Sequence, residues 1–72
     1  MIIHDVLKGY RVWIDKNDIK EIGTPLEQII ANLLEASNLV GVPLEEPIIT
    51  QEDDGESWVV WFNKRPNIIN EN

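Results

Sequence analysis

Leu26, Ile29, Ile30, Leu33 and Leu34 recur at the i, i+3, i+4, i+7, i+8 spacing that lines one face of a helix with apolar side chains. Glu27, Gln28, Asn32 and Glu35 fall on the opposite face. The pattern predicts a helix from Pro25 to about Ser37. Thr24 is placed to cap it, Pro25 suits the first helical position because its missing N–H would be unpaired there, and Glu27 completes a capping box three residues after Thr24. Asn38 or Gly41 supplies the left-handed residue that ends the helix, and Pro43 prevents its resumption.

A period of two governs most of the remaining apolar residues. Ile48-Ile49-Thr50-Gln51 and Trp58-Val59-Val60-Trp61-Phe62 are rich in β-branched and aromatic residues, and Asp54-Gly55 between them suits a two-residue type I′ turn. That hairpin pairs Gln51 with Trp58, Ile49 with Val60 and Pro47 with Phe62 on one face, and Thr50 with Val59 and Ile48 with Trp61 on the other. Tyr10-Arg11-Val12-Trp13-Ile14 forms a further strand, with Tyr10, Val12 and Ile14 on one side and Arg11 and Trp13 on the other. Ile2 to Leu7 is either a fourth strand turning at Lys8-Gly9 or the start of one long strand bulged at Gly9. Asp15-Lys16-Asn17-Asp18 reads as a turn, and Ile19-Lys20-Glu21-Ile22 as a short strand or helical turn.

These elements assemble as an α+β domain, an antiparallel sheet of three or four strands with one helix on one face, in ββαββ or βαββ order. The domain spans residues 1–66, and residues 67–72 read as a frayed C-terminal tail. One helix covers one sheet face. The more apolar face, with Tyr10, Val12, Ile14, Ile49, Trp58, Val60 and Phe62, is the expected core, which leaves Trp13, Ile48, Val59 and Trp61 together on the outside.

Composition narrows the function. A chain of 72 residues is one small domain, and 43% hydrophobic content with three Trp is too apolar for a disordered chain despite a net charge of −7. No cysteine is present, so disulfides, thiolate metal sites and cysteine nucleophiles are excluded. The N-terminal segment lacks a basic region ahead of its apolar run, and no stretch approaches the roughly 18 apolar residues of a membrane span, so a cytoplasmic protein is expected.

Charge is distributed unevenly. From Glu21 to Phe62 there are nine carboxylates and no Lys or Arg, while all six basic residues lie outside that span. Such a chain repels nucleic acid and attracts basic surfaces. Glu45, Glu46, Glu52, Asp53, Asp54 and Glu56 fall within twelve residues, the last four crowding the expected hairpin tip. Carboxylates held on a rigid turn imitate phosphate spacing and can occupy a basic groove, although acidic turns also serve solubility alone. Arg11, Trp13 and Trp61 form a second candidate, an aromatic anchor on the outer face.

Chemistry is sparse elsewhere. His4 is the single histidine, and Asp5 beside it in sequence points to the opposite face of a strand. Ser occurs only at 37 and 57, and no Gly-rich phosphate loop is present. The acidic turn lacks the twelve-residue calcium-loop pattern. No enzyme, cofactor or metal is expected. The pair Lys64 and Arg65 is expected to salt-bridge the acidic half or to end the last strand.

Asp53-Asp54-Gly55-Glu56-Ser57-Trp58-Val59-Val60-Trp61-Phe62 resembles the acidic-turn hairpin of HicB-type antitoxins. In that family the hairpin comes early and a helix follows, whereas here the helical pattern precedes it, so the family's function is not carried over. The expectation is a small acidic inhibitor or regulator that docks on a basic, nucleic-acid-binding surface of a protein partner, without direct nucleic-acid or membrane contact. The alternative is an accessory subunit that associates through the aromatic sheet face as a homodimer or complex component.

Overall fold

The computed structural model describes residues 1–66, and the expected tail at 67–72 lies outside the described residues. Strands β1 (Ile2–Val6) and β2 (Gly9–Asp15) come first, then helices α1 (Lys16–Ile22) and α2 (Leu26–Leu39), then strands β3 (Ile48–Gln51) and β4 (Ser57–Asn63). The four strands form one antiparallel sheet in the order β1-β2-β4-β3. The α+β class holds, with two helices rather than one.

The N-terminal segment is a separate strand, and its turn sits one residue earlier than Lys8-Gly9. Val6 pairs with Gly9, leaving Leu7 and Lys8 at the bend. Gly9 itself is buried in β2 opposite Asn63, where a Cβ would lie 1.8 Å from the Phe62 carbonyl oxygen. Only a residue without a side chain lets β4 pass that closely.

Residues 15–22 form a capped helix where a turn and a short strand or helical turn were expected. Asp15 caps it by accepting from the Asp18 N–H at 2.8 Å, and the Asp18 carboxylate accepts from the Asp15 N–H at 3.0 Å. This is a capping box with aspartate in both roles. It satisfies orphan donors at both ends of the first turn, and Gly23 closes the helix in the left-handed region at φ 72°.

The second helix starts one residue later than its sequence pattern suggests. Pro25 has ψ 156° and is the N-cap, so Thr24 lies outside the helix and makes no capping hydrogen bond. The Pro25 carbonyl accepts instead from the Gln28 and Ile29 N–H groups at 3.0 and 3.1 Å. At the far end Gly41, with φ 83°, follows the C-cap Val40. The Val42 N–H reaches the Ser37 carbonyl and the Gly41 N–H reaches that of Asn38, the paired bonds of a Schellman motif.

The hairpin register is as expected from Ile48↔Trp61 to Gln51↔Trp58, but its turn is not type I′. That turn needs two positive φ values, and only Gly55, at 69°, has one. Residues 53–56 form the loop, bounded by Glu52 N–H to Ser57 O at 2.8 Å and Gly55 N–H to Glu52 O at 2.9 Å. One residue is added to each side, so the pairing does not slip.

The core lies where Val12, Ile14, Val60 and Phe62 of the sheet meet Ile29 and Ile30 of α2, with Leu44 closing one end. Ile49 departs from expectation. It shares this face in register but remains 47% exposed, because β3 is an edge strand beyond the reach of α2. Leu44, from the 40–47 connection, is buried in its stead and bridges to Lys64.

Candidate functional site

Two cross-strand rows make up the middle of the outer face, between the Val6-Gly9-Asn63 row at one end and the Asp15-Ser57 pair at the other. Ile2, Trp13, Val59 and Thr50 form one row, and His4, Arg11, Trp61 and Ile48 form the next. Adjacency of β2 and β4 is the decisive fact, because it brings Trp13 and Trp61 onto neighbouring strands. Each tryptophan is half-buried and carries a nitrogen-bearing neighbour on its ring. The Arg11 guanidinium carbon lies 3.8 Å from the Trp61 ring centre, and the His4 and Trp13 rings lie 4.9 Å apart, tilted by 60°. Val59, between them in register, is only 6% exposed although no helix of the described residues covers it.

Arg11 is unusual among these residues. Its Nε is sealed from solvent and has no hydrogen-bond partner among the described residues. Stacking on Trp61 desolvates that edge of the guanidinium, while the planar, weakly hydrated group tolerates it better than an ammonium would. His4, Ile2 and Ile48 ring this centre and are exposed.

The six acidic candidates separate into two groups. Glu45 and Glu46 sit near the C-terminal end of β4, where the Glu45 N–H donates to Asn63 O at 2.8 Å. Glu52, Asp53, Asp54 and Glu56 sit at the start of β4, about 20 Å away along seven residues of strand. Proximity in sequence therefore overstates the cluster.

Within the hairpin tip the carboxylates differ in role. Asp54 accepts from the Glu56 N–H at 2.8 Å, the Ser57 N–H at 3.1 Å and the Ser57 hydroxyl at 3.2 Å. These bonds, led by the one from Glu56, hold its carboxyl below the usual aspartate range. Asp54 is the brace of the loop. Glu52, Asp53 and Glu56 are exposed on it, and no side-chain hydrogen bond or ion pair engages their carboxylates among the described residues.

Sequence spacing missed what stands beside this tip. Asp15 pairs with Ser57 in the β2–β4 ladder, and the Lys16 N–H donates to Glu56 O at 2.9 Å, so the start of α1 abuts the acidic loop. The D-x-x-D box at Asp15 and Asp18 was the available signal. Asp18 also accepts from the Met1 ammonium at 2.6 Å, the one ion pair among the described residues, which lowers the Asp18 pKa and raises that of the ammonium.

The basic pair does not meet the acidic half through an ion pair. The Arg65 Nε donates to the Leu44 carbonyl at 3.1 Å, and the Lys64 ammonium lies 5.7 Å from the Tyr10 ring centre. No helix of the described residues is long and apolar enough to cross a membrane. No family model, no curated protein and no solved structure matches this chain.

Proposed function

We propose that this chain is a small, non-enzymatic acidic binding protein. It occupies a basic surface of a larger cytoplasmic protein, of the kind that otherwise receives nucleic acid, and so inhibits or regulates that partner. The observation that carries this reading is the hairpin tip. Asp54 fixes the loop from inside, while Glu52, Asp53 and Glu56 project from it without an ion pair among the described residues, although Lys16 at the start of α1 stands beside the loop. A preorganised acidic loop gives up little conformational entropy on docking, and its charge steers encounter with a cationic groove. Thirteen carboxylates against six cations oppose direct contact with a nucleic acid.

The test is affinity capture from a cell lysate, eluted with a salt gradient, run beside a Glu52→Lys/Asp53→Lys/Glu56→Lys variant. The expected result is a partner with a basic surface that elutes at modest salt, is lost by the variant, and is displaced from its own nucleic acid by the native chain. Equal capture by the variant rules the reading out.

A further inference from the structure

All five residues of β1 are exposed, and among the described residues the strand has a neighbour, β2, on one side only. Ile3 lies on the helix side of the sheet opposite Val12 yet remains 52% exposed, because α2 stops short of it. An apolar groove of about 260 Å³ is left there, with Ile3, Tyr10, Val12, Leu33, Ala36 and Val40 in its walls.

The hydrogen-bond phase of the sheet fixes which main-chain groups of β1 are open. The Lys64 N–H donates to Lys8 O at 2.7 Å and the Lys16 N–H to Glu56 O at 2.9 Å, so the even-numbered residues of β2 bond to β4. Alternation along an antiparallel strand then turns Gly9, Arg11 and Trp13 towards β1, where they engage Val6, His4 and Ile2. The N–H and C=O groups of Ile3 and Asp5 are left pointing at the open edge. Edge strands are commonly blunted by proline, lysine, a bulge or an inward charge, and β1 carries only the last of these, Asp5. That carboxylate stands on the helix side opposite Tyr10, exposed and in no ion pair among the described residues.

From this edge we infer a binding site for an extended segment of another protein, which joins the sheet as a fifth strand antiparallel to β1. Its chemistry follows from the two helix-side positions it meets. The residue opposite Asp5 is a lysine or arginine, which forms an opposite-charge cross-strand pair. The residue opposite Ile3 is apolar and long enough to enter the groove. Because the added strand runs antiparallel, the basic residue comes first, giving the order basic, any residue, apolar. Main-chain bonds to Ile3 and Asp5 supply affinity, and the two side-chain positions supply selection.

A second copy of this chain does not meet that requirement. Pairing β1 antiparallel with itself through the same main-chain groups sets the Asp5 carboxylate against Ile3, and a net charge of −7 favours encounter with a cationic segment instead. The inference stands on β1 and not on the acidic tip, so its failure leaves the reading above untouched.

The test is titration of the nitrogen-15-labelled chain with a capped peptide, acetyl-Thr-Thr-Lys-Thr-Leu-Thr-Thr-amide, followed by amide NMR and hydrogen exchange. The expected result is slowed exchange at the Ile3 and Asp5 amides, with shifts at Leu33, Ala36 and Val40 along the groove. Replacing the peptide's lysine with glutamate, or its leucine with serine, is expected to weaken binding roughly threefold or more. Asp5 is exposed, so Asp5→Lys is expected to leave the circular dichroism spectrum unchanged while reversing the preference between the lysine and glutamate peptides. No protection of the Ile3 and Asp5 amides at millimolar peptide overturns the inference. So does binding whose preference Asp5→Lys leaves as it was, since the other edge, β3, would then be responsible.

Discussion

Arg11 lies on the face of Trp61, its guanidinium carbon 3.8 Å from the ring centre, on paired positions of adjacent strands. The contact joins the one cation of the outer face to one of its two largest side chains. Arg11→Lys keeps the charge but loses the plane, and is expected to cost about 0.5–1 kcal/mol. A double-mutant cycle with Trp61→Leu, read by urea denaturation, should return a coupling of about the same size. Strictly additive losses would show that the stacked geometry contributes nothing to stability.

Gly9 should be the least replaceable glycine. An added Cβ meets backbone, 1.8 Å from Phe62 O, and backbone cannot rotate away as a side chain does. Gly9→Ala is expected to cost about 3 kcal/mol or more, through separation of β2 from β4. At Gly41 a Cβ would find no atom within 4 Å, and Gly41→Ala meets only the left-handed penalty of about 1–2 kcal/mol. Thermal melts of the two variants check the order.

Asp54 and its neighbours should respond in opposite ways. Asp54→Ala removes three accepted hydrogen bonds from the loop and is expected to destabilise the domain, whereas Asp53→Lys, which relieves like-charge crowding, is expected to be neutral or mildly stabilising. The folded-state pKa of Asp54 is lowered, so its contribution is present above the ordinary aspartate value and is lost as pH falls through the folded one. Asp54→Asn should therefore flatten the acid limb of the stability profile. An unchanged acid limb would assign acid sensitivity to other carboxylates.

Helix capping offers a contrast between two residues that look equally suited to it. Asp15→Ala removes a side-chain cap and is expected to cost about 1 kcal/mol, while Thr24→Ala removes none and should stay within about 0.5 kcal/mol. Chemical denaturation of both variants decides it. A larger loss at Thr24 would place the start of α2 one residue earlier.

The Met1 ammonium and Asp18 form a pH-dependent tie between β1 and α1. The ammonium pKa is raised, so its share is present at and below the ordinary amine value and is lost as pH rises through the folded one. The Asp18 pKa is lowered, so its share is lost as pH falls through its folded value. Asp18→Asn should abolish the alkaline loss in a pH series of melting temperatures, and retention of that loss would count against the tie.

The sequence by itself determined the elements whose periodicity is unbroken. The apolar stripe from Leu26 to Leu34 and the alternation in Tyr10–Ile14 and Trp58–Phe62 each allow one buried face, so helix, strands and the side chosen for the core followed from side-chain direction, and the hairpin register from a turn centred on Asp54-Gly55. Local chemistry was less decisive. Thr24 and Asp15 carry similar capping signals, and which is used depends on whether the next backbone turns helical. Tertiary structure alone decided strand order, because nothing local distinguishes β2 beside β4 from β2 beside β3. That order seats Arg11 on Trp61, sets the start of α1 against the acidic loop and leaves Ile49 on an exposed edge. These are consequences of pairing between strands far apart in the chain, fixed only when the whole sheet closes over its core.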